Sequence, residues 1–246
     1  MAKAKRKRLD VLLAERDLAP SREKAQAMIL AGEVMVDGQK AQKPGQPASD
    51  DARIEVAAKP RYVSRGGQKL EGALRDFGLD VAGWVCLDVG ASTGGFTDCL
   101  LQHGAARVYA IDVGHNQLDW RIRQDERVLV HEGVNARYLP EGLIPEPVDL
   151  IVSDVSFISI LLILPVLPPL LKASGRMVLL VKPQFEVGRE QVGKGGIVRD
   201  PVLHAEVCAK VEAALRLLGF ATRIVESPIL GAEGNKEFLL YAEQES

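Results

Sequence analysis

The 246-residue chain is 47% hydrophobic and 26% charged, with a formal net charge of −2, which is enough for one large domain or one domain with a small module. Its three cysteines, Cys86, Cys99 and Cys208, match no zinc spacing and their odd number argues against a disulfide framework, so no metal site and a cytoplasmic setting with reduced thiols are expected. The basic start over residues 2–8 runs into Leu9-Asp10-Val11, and the longest apolar run, 158–171, is broken by Pro165, Pro168 and Pro169; neither a signal peptide nor a membrane span is expected.

Charge is unevenly spread along the chain. Residues 1–69 hold 15 Lys+Arg against 9 Asp+Glu, and the remainder holds 16 against 24. A basic front suits a polyanion, and an acidic body suits a cationic cofactor. Over residues 8–57 the pattern predicts two helices and then short strands. Leu9, Leu12 and Leu13 fall at helical spacing. Ser21 is the N-cap of a second helix. Ala25, Met28 and Ile29 form its buried face, and Gly32 ends it. Val34-Met-Val36 alternates, Asp37-Gly38 makes a tight turn, and Arg53-Ile-Glu-Val56 pairs back. The order Arg8-Leu-Asp, Ser21-Arg22, Ile29, Gly32, Val36-Asp-Gly38 resembles the S4 RNA-binding module. Arg22 and Lys24 point away from the buried face. With the run that holds Arg6 and Arg8, they are expected to line a phosphate-facing surface. The reading gives an S4-like domain at 1–57 with a basic tail at 1–8, a linker at 58–64 and a second domain at 65–246.

From Trp84 onward strands and helices alternate. Strands are predicted near 84–89, 107–112, 127–131, 148–153, 176–182, 222–226 and 237–242, and helices near 95–104, 116–124, 158–171 and 202–218. The last helix has Asp200 as cap and Pro201 at its first position. The alternation predicts an α/β fold: a Rossmann-like, mostly parallel seven-stranded sheet covered on both faces, after a small α+β module. Its ligands belong at the carboxyl ends of the strands.

The first of these strands ends in Cys86-Leu-Asp-Val-Gly-Ala-Ser-Thr-Gly-Gly-Phe96. Glycines at a strand end let a flat cofactor lie against the main chain. Asp112, ending the next strand, suits ribose hydroxyls. The spacing of Gly90, Gly94 and Gly95 fits neither the dinucleotide fingerprint nor a phosphate loop. The motif is similar to the first motif of S-adenosylmethionine-dependent methyltransferases. That likeness implies that Gly90, Ala91, Gly94 and Gly95 approach the methionine and ribose, with Phe96 packing beneath. It implies that Asp88 orders the loop or meets the methionine amino group, that Asp112 takes the ribose hydroxyls and that Asn135 reads the adenine edge.

Four more residues stand at predicted strand ends or helix starts: Lys69, Asp154, Lys182 and Glu237. A lysine closing the apolar run Met177–Val181 needs a partner, and Asp154 on a neighbouring strand is the natural one. The four match the K-D-K-E tetrad of FtsJ-like ribose 2′-O-methyltransferases. Together with Val63-Ser-Arg-Gly-Gly-Gln-Lys-Leu70, Ser153-Asp-Val-Ser-Phe157, Lys182-Pro-Gln-Phe-Glu186 and the S4-like front, they make nearly the whole chain resemble the TlyA family, some of whose members carry a haemolysin label. The resemblance implies S-adenosylmethionine-dependent 2′-O-methylation of a cytidine in large-subunit, and for some members also small-subunit, ribosomal RNA. Val-Ser-Phe stands after Asp154 where simple FtsJ enzymes have Met-Ala-Pro, so their substrate contacts do not transfer. Ser-Asp-Val-Ser also departs from the motif of amino-group methylases.

In this reading Lys182 contacts the 2′-oxygen and manages its proton, as base or as electrostatic stabiliser. Asp154 orients it, and Lys69 and Glu237 complete the network. Arg65, and Arg189, Lys194 and Arg199 on a mobile glycine-rich loop, are expected to touch RNA. The expected partner is ribosomal RNA or a ribosomal subunit, with no membrane and a monomer assumed. The competing readings are a non-catalytic RNA-binding assembly factor and a cytolysin.

Overall fold

The computed structural model describes residues 6–57 and 60–245. The chain divides into two compact units, Met1–Pro60 and Arg61–Ser246. The first holds β1 (Arg6–Arg8), α1 (Leu9–Glu15), α2 (Arg22–Leu30), β2 (Val34–Val36), β3 (Gln39–Lys40), β4 (Pro47–Ser49) and β5 (Ile54–Val56). β1 pairs with β4, and β2 lies between β3 and β5. Leu9, Leu12, Leu13, Ala25, Ile29 and Val34 form its core. The Ser21 hydroxyl accepts the Lys24 N–H at 3.2 Å and starts α2, which satisfies one of the N–H donors a helix start otherwise leaves unpaired.

The second unit continues with α3 (Gly66–Phe77), β6 (Val85–Val89), α4 (Gly95–Gln102), β7 (Arg107–Asp112), α5 (Trp120–Arg123), β8 (Val128–Glu132), β9 (Val148–Ser153), β10 (Leu171–Val181), α6 (Pro183–Glu186), α7 (Pro201–Leu217), β11 (Phe220–Glu226) and β12 (Phe238–Gln244). Its sheet has the order β11-β12-β10-β9-β6-β7-β8. β12 runs antiparallel to both its neighbours, and the β10-β9-β6-β7-β8 pairs are parallel. The seven-stranded, mostly parallel sheet matches the expectation. Residues 61–64, expected as linker, belong to this unit: Tyr62 is buried and the Val63 N–H donates to Asp98 Oδ2 at 2.8 Å. The helix expected over 158–171 is replaced by three 3₁₀ turns, Ile160–Leu162, Leu164–Val166 and Pro168–Leu170. Pro165, Pro168 and Pro169 lack the N–H donors a continuous helix needs. The helix expected over 116–124 shrinks to α5.

The chain leaves β6 for β7 and β8 on one side and returns to β9 on the other. This reversal opens a crevice at the carboxyl ends of β6 and β9, where open α/β sheets hold ligands. Gly90, just past β6, has φ +83°, and a Cβ there would lie 3.1 Å from Val155 Cγ1 and 3.2 Å from the Asp154 carbonyl oxygen. Glycine therefore lets the loop after β6 close against the loop after β9.

Asp88 sits on β6 with no exposed surface. The Thr97 hydroxyl donates to its Oδ2 at 2.6 Å, which ties the strand to the first turn of α4. Asp88 thus orders the loop. Burial, with the nearby charges of Asp154 and Asp112, pushes its carboxyl up to about 7. An acid raised above its unfolded value, about 3.9, favours the neutral form in the folded state. That contribution is fully present below the unfolded value and is lost as pH rises through about 7. Thermal unfolding against pH should therefore show stability falling over this range in the wild type, with the slope reduced in Asp88→Asn. Superimposable profiles would refute this assignment.

Candidate active site

β9 and β10 are parallel neighbours, so Asp154 and Lys182, one residue beyond each, emerge at the same edge of the sheet. β12 is antiparallel, so its beginning, where Glu237 sits, meets that edge as well. Lys69 comes down to it from the first turn of α3. Lys182 Nζ lies 2.5 Å from Asp154 Oδ1 and donates to Ser156 Oγ at 2.7 Å. Lys69 Nζ lies 2.6 Å from Glu237 Oε2 and 3.9 Å from Asp154 Oδ2. Asp154 thus faces both lysines, and two ammonium groups balance two carboxylates. The side chains of Glu237, Lys69 and Lys182 are 3%, 9% and 9% exposed, and that of Asp154 20%. Asp154 is the most open of the four. Buried charges are tolerated when paired in this way; removal of one member leaves another uncompensated, which typically costs about 3–5 kcal/mol.

Beside this network the crevice encloses about 480 Å³, a volume within the usual range for a cofactor site. Gly90, Ser92, Asp112, Asn135 and Asp154 line it, with apolar walls from Ile111, Val155, Ile158 and Ile163. A smaller hollow of about 80 Å³, sharing Gly90, Ser92 and Asp154, is lined by Ala91, Gly95 and Phe96 and by Ser64 and Gly66 at the start of α3. Asp112 is held by two backbone donors: Ser92 N–H to Oδ2 at 2.8 Å and Gly114 N–H to Oδ1 at 2.7 Å. Its remaining lone pairs are free to accept from a sugar diol. Asn135 Oδ1 accepts the Arg137 N–H at 3.0 Å, which leaves its amide N–H as the group for an adenine edge. An apolar-walled crevice with a fixed carboxylate and an amide donor fits an adenosine cofactor.

Four residues of the expected cofactor set have other neighbours as well. Asp88 and Gly94 line neither cavity; Gly94 has φ +92°, and a Cβ there would lie 2.8 Å from Leu118 Cδ1. A Cβ at Gly95 would fall 2.9 Å from the Gly67 nitrogen, so this glycine lets α3, with Lys69, approach the loop. Phe96 is 3% exposed and chiefly core.

The expected RNA-contacting residues are scattered by comparison. Arg6, Arg8, Arg22 and Lys24 lie on the first unit and are largely exposed. Arg65 donates to the Leu230 carbonyl. Arg189, Lys194 and Arg199 are exposed, but their loop is anchored: the Asn235 side chain donates to the Gly196 carbonyl at 2.9 Å and accepts the Val198 N–H at 3.0 Å. The loop expected to be mobile is held in its second half. Ser92, Ser156 and Phe157 received no role in the sequence reading. Phe157 has φ +64° and is 92% exposed beside the cavity, its ring 5.4 Å from that of Phe185. The motif Ser-Asp-Val-Ser-Phe was visible, but a serine that partners Lys182 and a strained backbone leave no signature in residue order.

The FtsJ-like methyltransferase family model matches residues 62–244, and the S4 domain model matches residues 7–54. The 16S/23S rRNA (cytidine-2′-O)-methyltransferase TlyA of Mycobacterium tuberculosis is 47% identical over 241 residues, covering 97% of this chain and 90% of that one. Hemolysin A of Brachyspira hyodysenteriae is 46% identical over 237 residues, covering 95% and 98%. A solved chain from Streptococcus thermophilus aligns with a TM-score of 0.74 at 45% identity, covering 99% and 90%. No helix among the described residues is long and apolar enough to cross a membrane. With the crevice, the charge network and these matches together, the chain belongs to the S-adenosylmethionine-dependent FtsJ-like methyltransferases, in the TlyA branch that carries an S4 domain.

Proposed function

We propose that this protein methylates the ribose 2′-oxygen of a cytidine in ribosomal RNA, acting in the cytoplasm on the RNA or on a ribosomal subunit. The observation that carries the reading is the neutral Lys182–Asp154–Lys69–Glu237 network beside the cofactor crevice. The name of the Mycobacterium tuberculosis relative supports the acceptor, and the S4 domain supports RNA.

S-adenosylmethionine, when bound, supplies a methyl group activated by its sulfonium. The chain's own residues position and polarise the acceptor. Asp112 holds the cofactor ribose, and Asn135 meets the adenine. A 2′-hydroxyl must lose its proton and lie in line with the methyl–sulfur bond, and alignment alone supplies much of the rate gain. Lys182, fixed by Asp154 and Ser156, directs an N–H at that oxygen and stabilises the negative charge left there as the hydroxyl proton passes to solvent water, before the methyl moves from sulfur to oxygen. A paired ammonium donates, so the geometry favours this stabilising role over that of a base. Lys69 and Glu237 keep Asp154 from turning away.

Phe157 holds a left-handed backbone that costs a bulky residue about 1–3 kcal/mol, and such strain collects at functional sites. Its exposed ring offers a stacking face for a nucleobase lifted out of its helix. Arg189, Lys194 and Arg199 are exposed on a loop downstream of the strand that carries Lys182, which supports reading them as phosphate contacts.

Lys182→Ala should lower transfer of tritiated methyl from S-adenosylmethionine to ribosomal RNA by about 10²-fold or more, with cofactor affinity measured beside it. A rate near wild type would remove Lys182 from the chemistry. Phe157→Ala should reduce kcat/KM for RNA by roughly 5–100-fold, while Phe157→Tyr keeps most of it. Alanine at Arg189, Lys194 and Arg199 together should weaken RNA binding and flatten its dependence on salt. Unchanged affinity and slope would exclude that loop from the interface. Mapping the methylated ribose tests the cytidine assignment.

A further inference from the structure

Asp10 is an acid with no exposed surface, in the first turn of α1. Four donors converge on it. Arg8 Nε meets Oδ1 at 3.0 Å, and Arg8 Nη2 meets Oδ2 at 2.9 Å. Arg22 Nε and Gln26 Nε2 reach Oδ2 at 3.0 and 2.8 Å. Arg22 and Gln26 stand four apart on α2 and so share one face. The two arginine side chains remain 51% and 50% exposed. Arg8 Nη1 and both Arg22 Nη atoms have no protein partner among the described residues. A Cβ at Gly45 would lie 2.9 Å from Arg8 Nη1, so glycine leaves room for that guanidinium. The two guanidinium groups hold the Asp10 carboxyl well below the usual carboxylate range.

Stability alone is a poor reason for this arrangement, because well-packed apolar residues serve a fold as well as a buried ion cluster. Its effect on the arginines is larger. Each free arginine carries about 2 kcal/mol of rotamer entropy, and a binding site gains when that freedom is lost before the ligand arrives. Two guanidiniums against one carboxylate leave one net positive charge, with unused N–H groups open to solvent. A phosphodiester matches that fork in charge and in geometry.

We propose that Asp10 is a positioning residue, the internal counter-ion that fixes Arg8 and Arg22 as a preformed clamp for an RNA phosphodiester. The proposal rests on the reading that this protein acts on RNA. It makes a prediction opposite in sign to simple charge counting. Asp10→Asn adds one positive charge, so charge counting expects tighter RNA binding. The clamp expects weaker binding, by about tenfold near physiological salt, with a salt slope smaller by about one to two.

The experiment measures binding of the full chain to unmodified large ribosomal subunits across a salt series, with KM and kcat for methyl transfer and a thermal melt for each variant. Asp10→Asn should raise KM far more than it lowers kcat. Gly45→Ala, which keeps every charge and crowds Arg8, should weaken binding in the same direction by less. The double variant Arg8→Ala with Arg22→Ala should lose at least as much as Asp10→Asn. Equal or tighter binding by Asp10→Asn, with weak binding by the double variant, overturns the clamp and leaves the RNA reading standing. Wild-type binding by the double variant removes this face from RNA contact altogether. If Asp10→Asn unfolds, Gly45→Ala decides: wild-type affinity and slope there overturn the clamp.

Discussion

Two lysines and two carboxylates can share a nearly dry space only if their charges cancel and each finds its partner. That constraint reaches through the second unit. Asp154 and Lys182 come from the ends of parallel neighbours, β9 and β10. Glu237 reaches them only because β12 runs the other way and begins where they end. Lys69 requires α3 to lie close to the glycine loop, and a side chain at Gly95 would collide with the Gly67 nitrogen and prevent it. An all-parallel sheet of the same strands would carry Glu237 to the far edge and leave Lys69 without its close partner.

The crevice and the charge network are adjacent because Asp154 belongs to both. It lines the cavity and faces the two lysines. The loop that follows it also supplies Ser156 to Lys182 and places Phe157 at the rim. One short segment after β9 therefore joins the crevice, the charged network and an open aromatic surface. Its neighbour, the loop after β6, is kept against it by Gly90, and the reversal of strand order makes the space between them.

Much of this was readable in residue order. Apolar runs ending in an acid or a base marked β6, β7, β9 and β10, since a buried strand must stop where a charge begins. Asp112 and Asp154 were identifiable because a strand-end acid is open to few roles. Features that depend on pairing were less accessible. Asp88 and Asp112 look alike in sequence, yet one is buried against Thr97 and the other faces the crevice. Gly94 packs against Leu118, and Gly95, which lines the smaller hollow, also lets α3 approach; neither neighbour shows in residue order. The prolines at 165, 168 and 169 bar a membrane span and equally bar a continuous helix, leaving three 3₁₀ turns. Arg8 and Arg22 were visible as basic residues, whereas the single acid that holds both comes into view only when α1 and α2 pack.

The pairing of Lys69 with Glu237 and of Lys182 with Asp154 has a consequence for how this family diverges. A change at one member strands its partner, so its effect depends on what stands at the other position, as is general for residues in one ionic network. Lineages that abandon the chemistry should then lose these residues two at a time, and a chain that keeps one lysine without its carboxylate should be uncommon. Relatives that have turned the same scaffold into a plain RNA binder would be recognised by paired, charge-neutral replacements here, beside an Asp112 free to drift on its own.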